Sequence, residues 1–253
     1  MTTIQYVSDL HLEFPENRNW LRSNPIEPKG DILILAGDIC TFNHSYKLDP
    51  FFDLWSSQFK HVYYIPGNHE YYGSDINQIP FNYEFQVRGN VTICNNKTFI
   101  VGDYQLILST MWTQLEFECF PDIIRGVNDF RVIRNGDNIL DPLTYNALHL
   151  RSLEWIKQQL SNSDKNVVVT HHVPTYENTM NKWYKGSKIN SVFTVELKQL
   201  IENSNIKYWI YGHNHHNVKD FKIGNTTLVT NQLGYVHHDE QKKFKLNKII
   251  RVK

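Results

Sequence analysis

The 253-residue sequence predicts a layered α/β protein, and three observations carry that prediction. Short β-branched or aliphatic runs recur along the chain, helical patterns lie between some of them, and the strand runs are apolar nearly throughout. Runs of that kind belong to sheets covered by helices rather than faced with water.

Taken in order, strand-length apolar runs fall at residues 4–7, 31–36, 62–65, 98–101, 105–108, 167–170, 208–211 and 226–230. A helix is expected over 48–59, where Leu48, Phe51, Phe52, Trp55 and Phe59 would form one apolar face. The clearest helix spans 141–161: Asp141 suits an N-cap, Pro142 the first turn, and Leu143, Ala147, Leu150, Leu153, Ile156 and Leu160 keep helical spacing. A third helix is expected over 192–203. No internal repeat, low-complexity tract or Pro/Gly/Ser linker interrupts the chain, so residues 1–253 are expected to form one domain. Three irregular stretches, 71–89, 112–137 and 175–190, are long for simple connections, and loops of that length are usually functional or mobile.

Composition narrows the function. With 26 Lys+Arg against 26 Asp+Glu the formal net charge is zero, so no overall basic field attracts a nucleic-acid backbone or an anionic membrane. Any anionic substrate must be held locally. Three cysteines, Cys40, Cys94 and Cys119, form no CxxC pair, and neither a disulfide framework nor a thiolate zinc site is expected. The opening MTTIQYVSDL turns polar at once, and no run approaches about 18 consecutive apolar residues, the length of a membrane span. The expectation is a cytoplasmic protein in a reducing compartment, neither exported by a signal peptide nor membrane-spanning.

Five short blocks stand at or just beyond the ends of expected strands: Asp9-Leu10-His11, Gly37-Asp38, Gly67-Asn68-His69-Glu70, His171-His172 and Gly212-His213-Asn214-His215. In α/β sheets, sites are built at such ends. Imidazole, carboxylate and amide oxygen without thiolate suit Mn, Fe, Zn, Ni or Co. The donors are too many for one tetrahedral ion and suit two ions sharing a bridging ligand. Asp9 and His11, two apart in an extended segment, would present both side chains to one side, as would His213 and His215. Glycines 37, 67 and 212 would let the chain turn sharply and approach the ions closely.

In that order, SDLHLEF, AGDIC, PGNHEYY, VVTHHVP and IYGHNHH resemble the calcineurin-like metallophosphoesterase superfamily, over most of the chain from Asp9 to His215. The resemblance implies a four-layer α/β/β/α sandwich with two mixed sheets and a dinuclear metal site at the strand ends. By that likeness Asp9, His11 and His215 would bind the first ion, Asn68, His171 and His213 the second, and Asp38 would bridge them. His69 would not be a ligand. Two such ions can hold a bridging water, make it hydroxide at neutral pH and clamp an in-line displacement at phosphorus. His69 is then expected to stabilise a phosphate oxygen or protonate the leaving alkoxide.

After Gly37-Asp38 the chain runs Ile39-Cys40-Thr41-Phe42, without the arginine of the Gly-Asp-x-x-x-Arg-Gly motif of protein Ser/Thr phosphatases. That branch is therefore not expected, and Arg131 and Arg125 become the candidate phosphate-binding residues. The His171-His172 pair leaves two readings. Distance from the strand favours His171 as the ligand and distance to Pro174 favours His172; the residue that is not the ligand would support one or face substrate. His216 and the pair His237-His238 match no motif and are expected to be solvated or structural. Tyr71, Tyr72, Trp112, Tyr176, Trp183 and Tyr184 could stack a nucleobase or simply pack the loops, and Lys182, Lys185 and Lys188 could steer a phosphorylated substrate or be an ordinary charged surface.

The expected activity is hydrolysis of phosphate esters, with small phosphodiesters or nucleotides favoured as substrates. The alternatives are a phosphomonoesterase, a nuclease, for which zero net charge is a poor match, and a scaffold on the same fold that has lost catalysis.

Overall fold

The computed structural model of the chain describes residues 1–42, 46–180 and 185–253. The first half reads β1 (Thr2–Val7), α1 (Pro15–Ser23), β2 (Ile32–Ala36), α2 (Pro50–Gln58), β3 (His61–Ile65), β4 (Tyr83–Arg88), β5 (Val91–Asn95), β6 (Lys97–Val101) and β7 (Tyr104–Ser109). There follow α3 (Phe120–Gly126), α4 (Asp129–Val132), a small ladder of β8 (Arg134–Asn135) and β9 (Asn138–Ile139), and α5 (Pro142–Ser161). The chain closes with β10 (Asn166–Thr170), α6 (Asn190–Phe193), α7 (Lys198–Glu202), β11 (Ile206–Tyr211), β12 (Phe221–Ile223), β13 (Thr226–Thr230) and β14 (Ile249–Val252).

Two six-stranded sheets result, ordered β14-β1-β2-β3-β5-β4 and β12-β13-β11-β10-β7-β6. In each, the inner strands run parallel and the two edge strands antiparallel. Successive side chains on a strand point to opposite faces. Ile32 and Ile34 of β2 therefore turn inward with Ile4 and Tyr6 of β1, meeting Leu106, Leu108, Val167, Val169, Ile210 and Val229 of the second sheet. Their neighbours Leu33 and Leu35 turn outward against Phe52 and Trp55 of α2 and Leu21 of α1. On the far side Ile107, Val168 and Trp209 pack against Ile156 of α5 and Ile201 of α7. The layers are α/β/β/α, as expected. Both faces of each inner strand are buried, which is why these runs are apolar without alternation. Among the described residues no helix is long and apolar enough to cross a membrane.

Several elements differ from expectation. The stretch 71–89 contains β4, an edge strand whose YEFQVR sequence alternates between half-buried and exposed positions. The stretch 112–137 contains α3 and α4, which fold with Tyr71, Trp112 and Tyr145 into a separate cluster over the start of α5. The helix expected over 192–203 is two short helices. Between them Thr194 is extended and bridges Val173, and Glu196 accepts hydrogen bonds from Thr175 Oγ1 (2.7 Å) and from the backbone of Lys198 (3.0 Å).

In the 48–59 region, Asp49 caps α2 by accepting from the Phe51 N–H at 3.0 Å, and Phe51, Phe52 and Trp55 are buried as expected. The Leu48 side chain lies outside the described part. Helix α5 begins at the expected cap, and Leu153, Ile156 and Leu160 pack on the second sheet as expected, but its first half buries another face: Tyr145, His149 and Ser152 point inward, while Leu143, Ala147 and Leu150 are exposed. The reason is polar. His149 is drawn in by the Trp112 carbonyl, and the Tyr145 hydroxyl meets Thr113 Oγ1 at 3.2 Å.

The Asp141 carboxylate accepts from the Leu143 and Thr144 N–H groups at 2.9 and 3.0 Å. Asp141→Ala should therefore lower stability by about 1 kcal/mol. A urea titration should show a lower midpoint at unchanged slope.

Candidate metal centre

All five blocks lie just past the C-terminal ends of parallel strands: Asp9 and His11 after β1, Asp38 after β2, Asn68 and His69 after β3, His171 after β10, His213 and His215 after β11. Because the sheets are stacked, these ends share one edge of the sandwich, and the loops are laced together by backbone bonds. The N–H groups of Asp9 and His11 donate to the carbonyls of Gly37 and Asp38 at 3.0 Å each, and the Gly212 N–H donates to the His171 carbonyl at 2.9 Å.

The same-side presentation of Asp9 with His11 and of His213 with His215 does not arise from an extended segment. Asp9, His11, Asp38, His213 and His215 all take left-handed backbone conformations, with φ of 56°, 46°, 55°, 78° and 48°. Non-glycine residues rarely do so, and each such residue costs on the order of 1–3 kcal/mol. Glycine 67 is needed for space rather than for a turn. A Cβ there would stand 2.2 Å from Asp38 Oδ1 and 2.6 Å from His171 Nε2.

The side chains converge in three overlapping groups, each with donors within 4.8 Å of one another: Asp9, His11 and His215; His11, Asp38 and His69; Asp38, His171 and His213. His11 Nε2 lies 3.0 Å from His215 Nε2, and His171 Nε2 lies 3.1 Å from His213 Nδ1 and 3.2 Å from Asn68 Oδ1. Facing imidazole nitrogens can share at most one proton, whereas a cation between them satisfies both lone pairs. His213 Nε2 is buried with no partner among the described residues. The donors fit divalent cations.

Around this cluster a ring of carboxylates fixes the imidazoles. Glu13 Oε1 accepts from Nδ1 of both His11 (3.1 Å) and His69 (2.9 Å), and Glu240 accepts from His215 Nδ1 at 2.6 Å. Glu70 accepts from the backbone N–H of Asp38 (3.0 Å), Ile39 (2.7 Å) and Gly67 (2.6 Å) and from the Tyr64 hydroxyl. It thereby joins the turn that bears Asp38 to the turn that bears Asn68. Asp129 accepts from Asn68 Nδ2 at 2.9 Å, so the amide turns its oxygen toward His171.

The charges reflect this packing. Burial works against charge on His171 and His215, yet Asp38 beside the first and Asp9 with Glu240 beside the second outweigh it, raising them to about 9 and about 10. His213 is pushed well down, by burial and then by His172 and His171. Burial raises the Glu13 carboxyl, but hydrogen bonds from His11 and His69 prevail and hold it at about 2. Burial and Asp38 push Glu70 up to about 8.

A cavity of about 470 Å³ opens on Asp38, Asn68, His69, His213 and His215, with Tyr72, Tyr176, Phe193 and Tyr235 among its walls.

The calcineurin-like phosphoesterase model matches residues 2–217 of the chain. The chain belongs to that family. This calcineurin-like phosphoesterase is thus a metal-dependent phosphoric ester hydrolase acting on phosphorylated substrates, and the family implies divalent metal ions. It is 32% identical over 270 aligned positions, covering 94% of this chain and 92% of the other, to an uncharacterized protein of Acanthamoeba polyphaga mimivirus. Among solved structures it resembles phosphopantetheinyl hydrolase (PptH) from Mycobacterium tuberculosis, with a TM-score of 0.71 and 16% identity over 98% of this chain and 95% of that one. A dimetal phosphatase from Danio rerio aligns with a TM-score of 0.47 and 15% identity over 91% of this chain and 87% of that one. At 16% identity the likeness to the phosphopantetheinyl hydrolase speaks for the fold.

Other sequence-predicted residues of the phosphoesterase fall elsewhere. Arg125 and Arg131 do not line the cavity. Arg125 pairs with Asp122 at 2.9 Å on the surface, and exposed Arg131 donates to the Arg125 carbonyl, because α3 and α4 turn both outward. His172 does not line the cavity but packs behind the donors: fully buried, its ring lies 4.3 Å from that of His213, and its nitrogens meet the Tyr145 hydroxyl at 3.2 Å and the Thr110 carbonyl at 3.3 Å. Tyr71 and Trp112 are core residues, whereas Tyr72 and Tyr176 reach the cavity. Lys188 pairs with Asp122 at 3.1 Å and Lys185 is exposed, while Lys182, Trp183 and Tyr184 lie outside the described residues.

Two outcomes follow from this geometry. Gly67→Ala should retain the far-ultraviolet circular dichroism of the wild type but lose bound metal, as read by elemental analysis. Histidines coordinate as neutral rings, so at neutral pH His171 and His215 must give up protons when ions bind. Manganese added to metal-free protein in weak buffer should acidify it, and affinity should rise as pH climbs toward about 9 to 10.

Proposed function

We propose that the protein is a dimetal phosphodiesterase of small phosphodiesters or nucleotides. Asp9, His11 and His215 would hold one ion, Asn68, His171 and His213 would hold the other, and Asp38 would serve both. The observation that carries this reading is a pair of donor groups, Asp9 with His11 and His215 and Asp38 with His171 and His213, which adjoin where His11 Nε2 stands 3.8 Å from Asp38 Oδ2, at the cavity that Asp38 lines. Manganese, iron, zinc, nickel and cobalt all suit imidazole, carboxylate and amide donors. When bound, the ions would supply Lewis acidity to the phosphoryl oxygens and generate a nucleophile from water at neutral pH.

The chain's own residues do the rest. His69 is in the cavity wall with Nδ1 on Glu13 and Nε2 directed to the Tyr235 hydroxyl at 3.3 Å, where it can protonate the departing oxygen. The Glu13 and Asp38 carboxylates favour its charged form and raise its pKa against the effect of burial. Tyr72, Tyr176, Phe193 and Tyr235 offer ring faces and edges to the organic half of the substrate, in a cavity of nucleotide size. Zero net charge favours a small substrate over an extended nucleic acid. We also take residues 1–253 to act as one domain in the cytoplasm, a location supported by three free cysteines.

Metal-free protein reloaded with manganese tests this on bis(p-nitrophenyl) phosphate and p-nitrophenyl phosphate. The diester should be the better substrate, and preference for the monoester would redirect the assignment to a phosphomonoesterase. Asp38→Asn should abolish turnover. His69→Ala should keep its metal and lose about tenfold or more in turnover, within the range of general acid catalysis. Unchanged turnover in His69→Ala would remove that residue from the chemistry.

A further inference from the structure

Glu13 follows His11 by two residues, and its side chain is 15% exposed. One oxygen, Oε1, meets Nδ1 of both His11 and His69, at 3.1 and 2.9 Å, while Oε2 is buried with no partner among the described residues. With Oε1 in hydrogen-bond distance of both rings, each Nδ1 is turned to Glu13 and each Nε2 is turned away from it. For His69 this fixes which nitrogen faces the cavity. Its ring stacks on Tyr72, with centroids 4.1 Å apart and planes 26° from parallel, and meets the edge of His11 at 4.4 Å. Nε2 is left toward the cavity, beside the Tyr235 hydroxyl.

We propose that Glu13 is the positioning residue for leaving-group protonation: it holds His69 with Nδ1–H on its own carboxylate so that Nε2–H points at the oxygen that departs. In the step, water oxygen bonds to phosphorus and the bond from phosphorus to the leaving oxygen breaks, its electron pair staying on that oxygen. The Nε2 proton passes to the leaving oxygen, and the proton lost by the water passes to solvent. His69 is left neutral, still donating from Nδ1 to Glu13, and regains its Nε2 proton from solvent. The inference rests on the general-acid reading of His69 given above. It differs from mere support of His11, because losing the proton donor from a fully loaded centre penalises a poor leaving group more than a good one.

The experiment exploits that difference. Turnover of bis(p-nitrophenyl) phosphate and of diphenyl phosphate is measured at saturating manganese for wild type, Glu13→Gln, His69→Ala and the double variant. Phenoxide needs a proton to depart far more than p-nitrophenoxide does. Glu13→Gln and His69→Ala should each lose about tenfold more turnover on diphenyl phosphate than on the nitrophenyl ester, and the double variant should be no worse than His69→Ala, as expected of residues acting as a unit. Equal losses on both esters in Glu13→Gln, with selectivity retained in His69→Ala, would overturn the role of Glu13 alone. Equal losses in His69→Ala would overturn the general-acid reading and the role of Glu13 with it. Metal content is measured for each variant and the rates are compared per fully loaded enzyme, so that any metal lost through His11 does not enter the ratio.

Discussion

The Asp38 carboxylate is the point where the two sheets meet electrically. It is buried at the end of β2, accepts the His69 N–H at 2.9 Å, and lies 3.8 Å from His11 Nε2 of its own sheet and 3.4 Å from His171 Nε2 of the other. A buried anion is tolerable only when surrounded by donors and positive charge. Much of the nearby structure serves that need: Gly37 and Gly67 leave room where a Cβ would collide with His171 or with Asp38 itself, and Glu70 pins the two turns that approach it.

Holding the donors there is costly. Five of them sit in backbone conformations that a non-glycine residue ordinarily avoids, and two pairs of imidazole nitrogens face each other at about 3 Å. The strain is offset by the rigid sandwich beneath and by bonds between loops such as His11 to the Asp38 carbonyl. Because His171 and His213 come from the second sheet and Asp9 and His11 from the first, any cation bound among them draws strength from both sheets and resists their separation. Binding energy of that kind is folding energy.

Much of this was legible in the sequence because inner strands buried on both faces announce themselves as apolar runs, and because ligand-type residues clustered just beyond them. The layered class, the cap at Asp141 and the convergence of the five blocks follow from those signals. The edge strand β4 was obscured by its polar alternation, and the inward face of α5 by His149 and Ser152, whose burial depends on partners far along the chain. The supporting carboxylates were unequally visible. Glu70 stood inside a recognisable block and Glu13 stood two residues past His11, but Glu240 and Asp129 reach the centre from 25 and 61 residues away from the side chains they hold, and spacing alone has no means of finding them. The outward turn of Arg125 and Arg131 was likewise set by short helices whose packing is tertiary.

The segment between β7 and β10 carries α3 and α4 and contributes Val127 and Asn128 to the cavity, while the strand-end donors come from elsewhere in the chain. The segment supplies one part of the cavity wall, and that part could be exchanged without rebuilding the donors. A single hydrogen bond qualifies that freedom. Asp129 belongs to the exchangeable segment, yet it decides which way the Asn68 amide faces. A graft that brought new walls to the cavity without an acceptor at that position would change the specificity and loosen the centre in the same stroke.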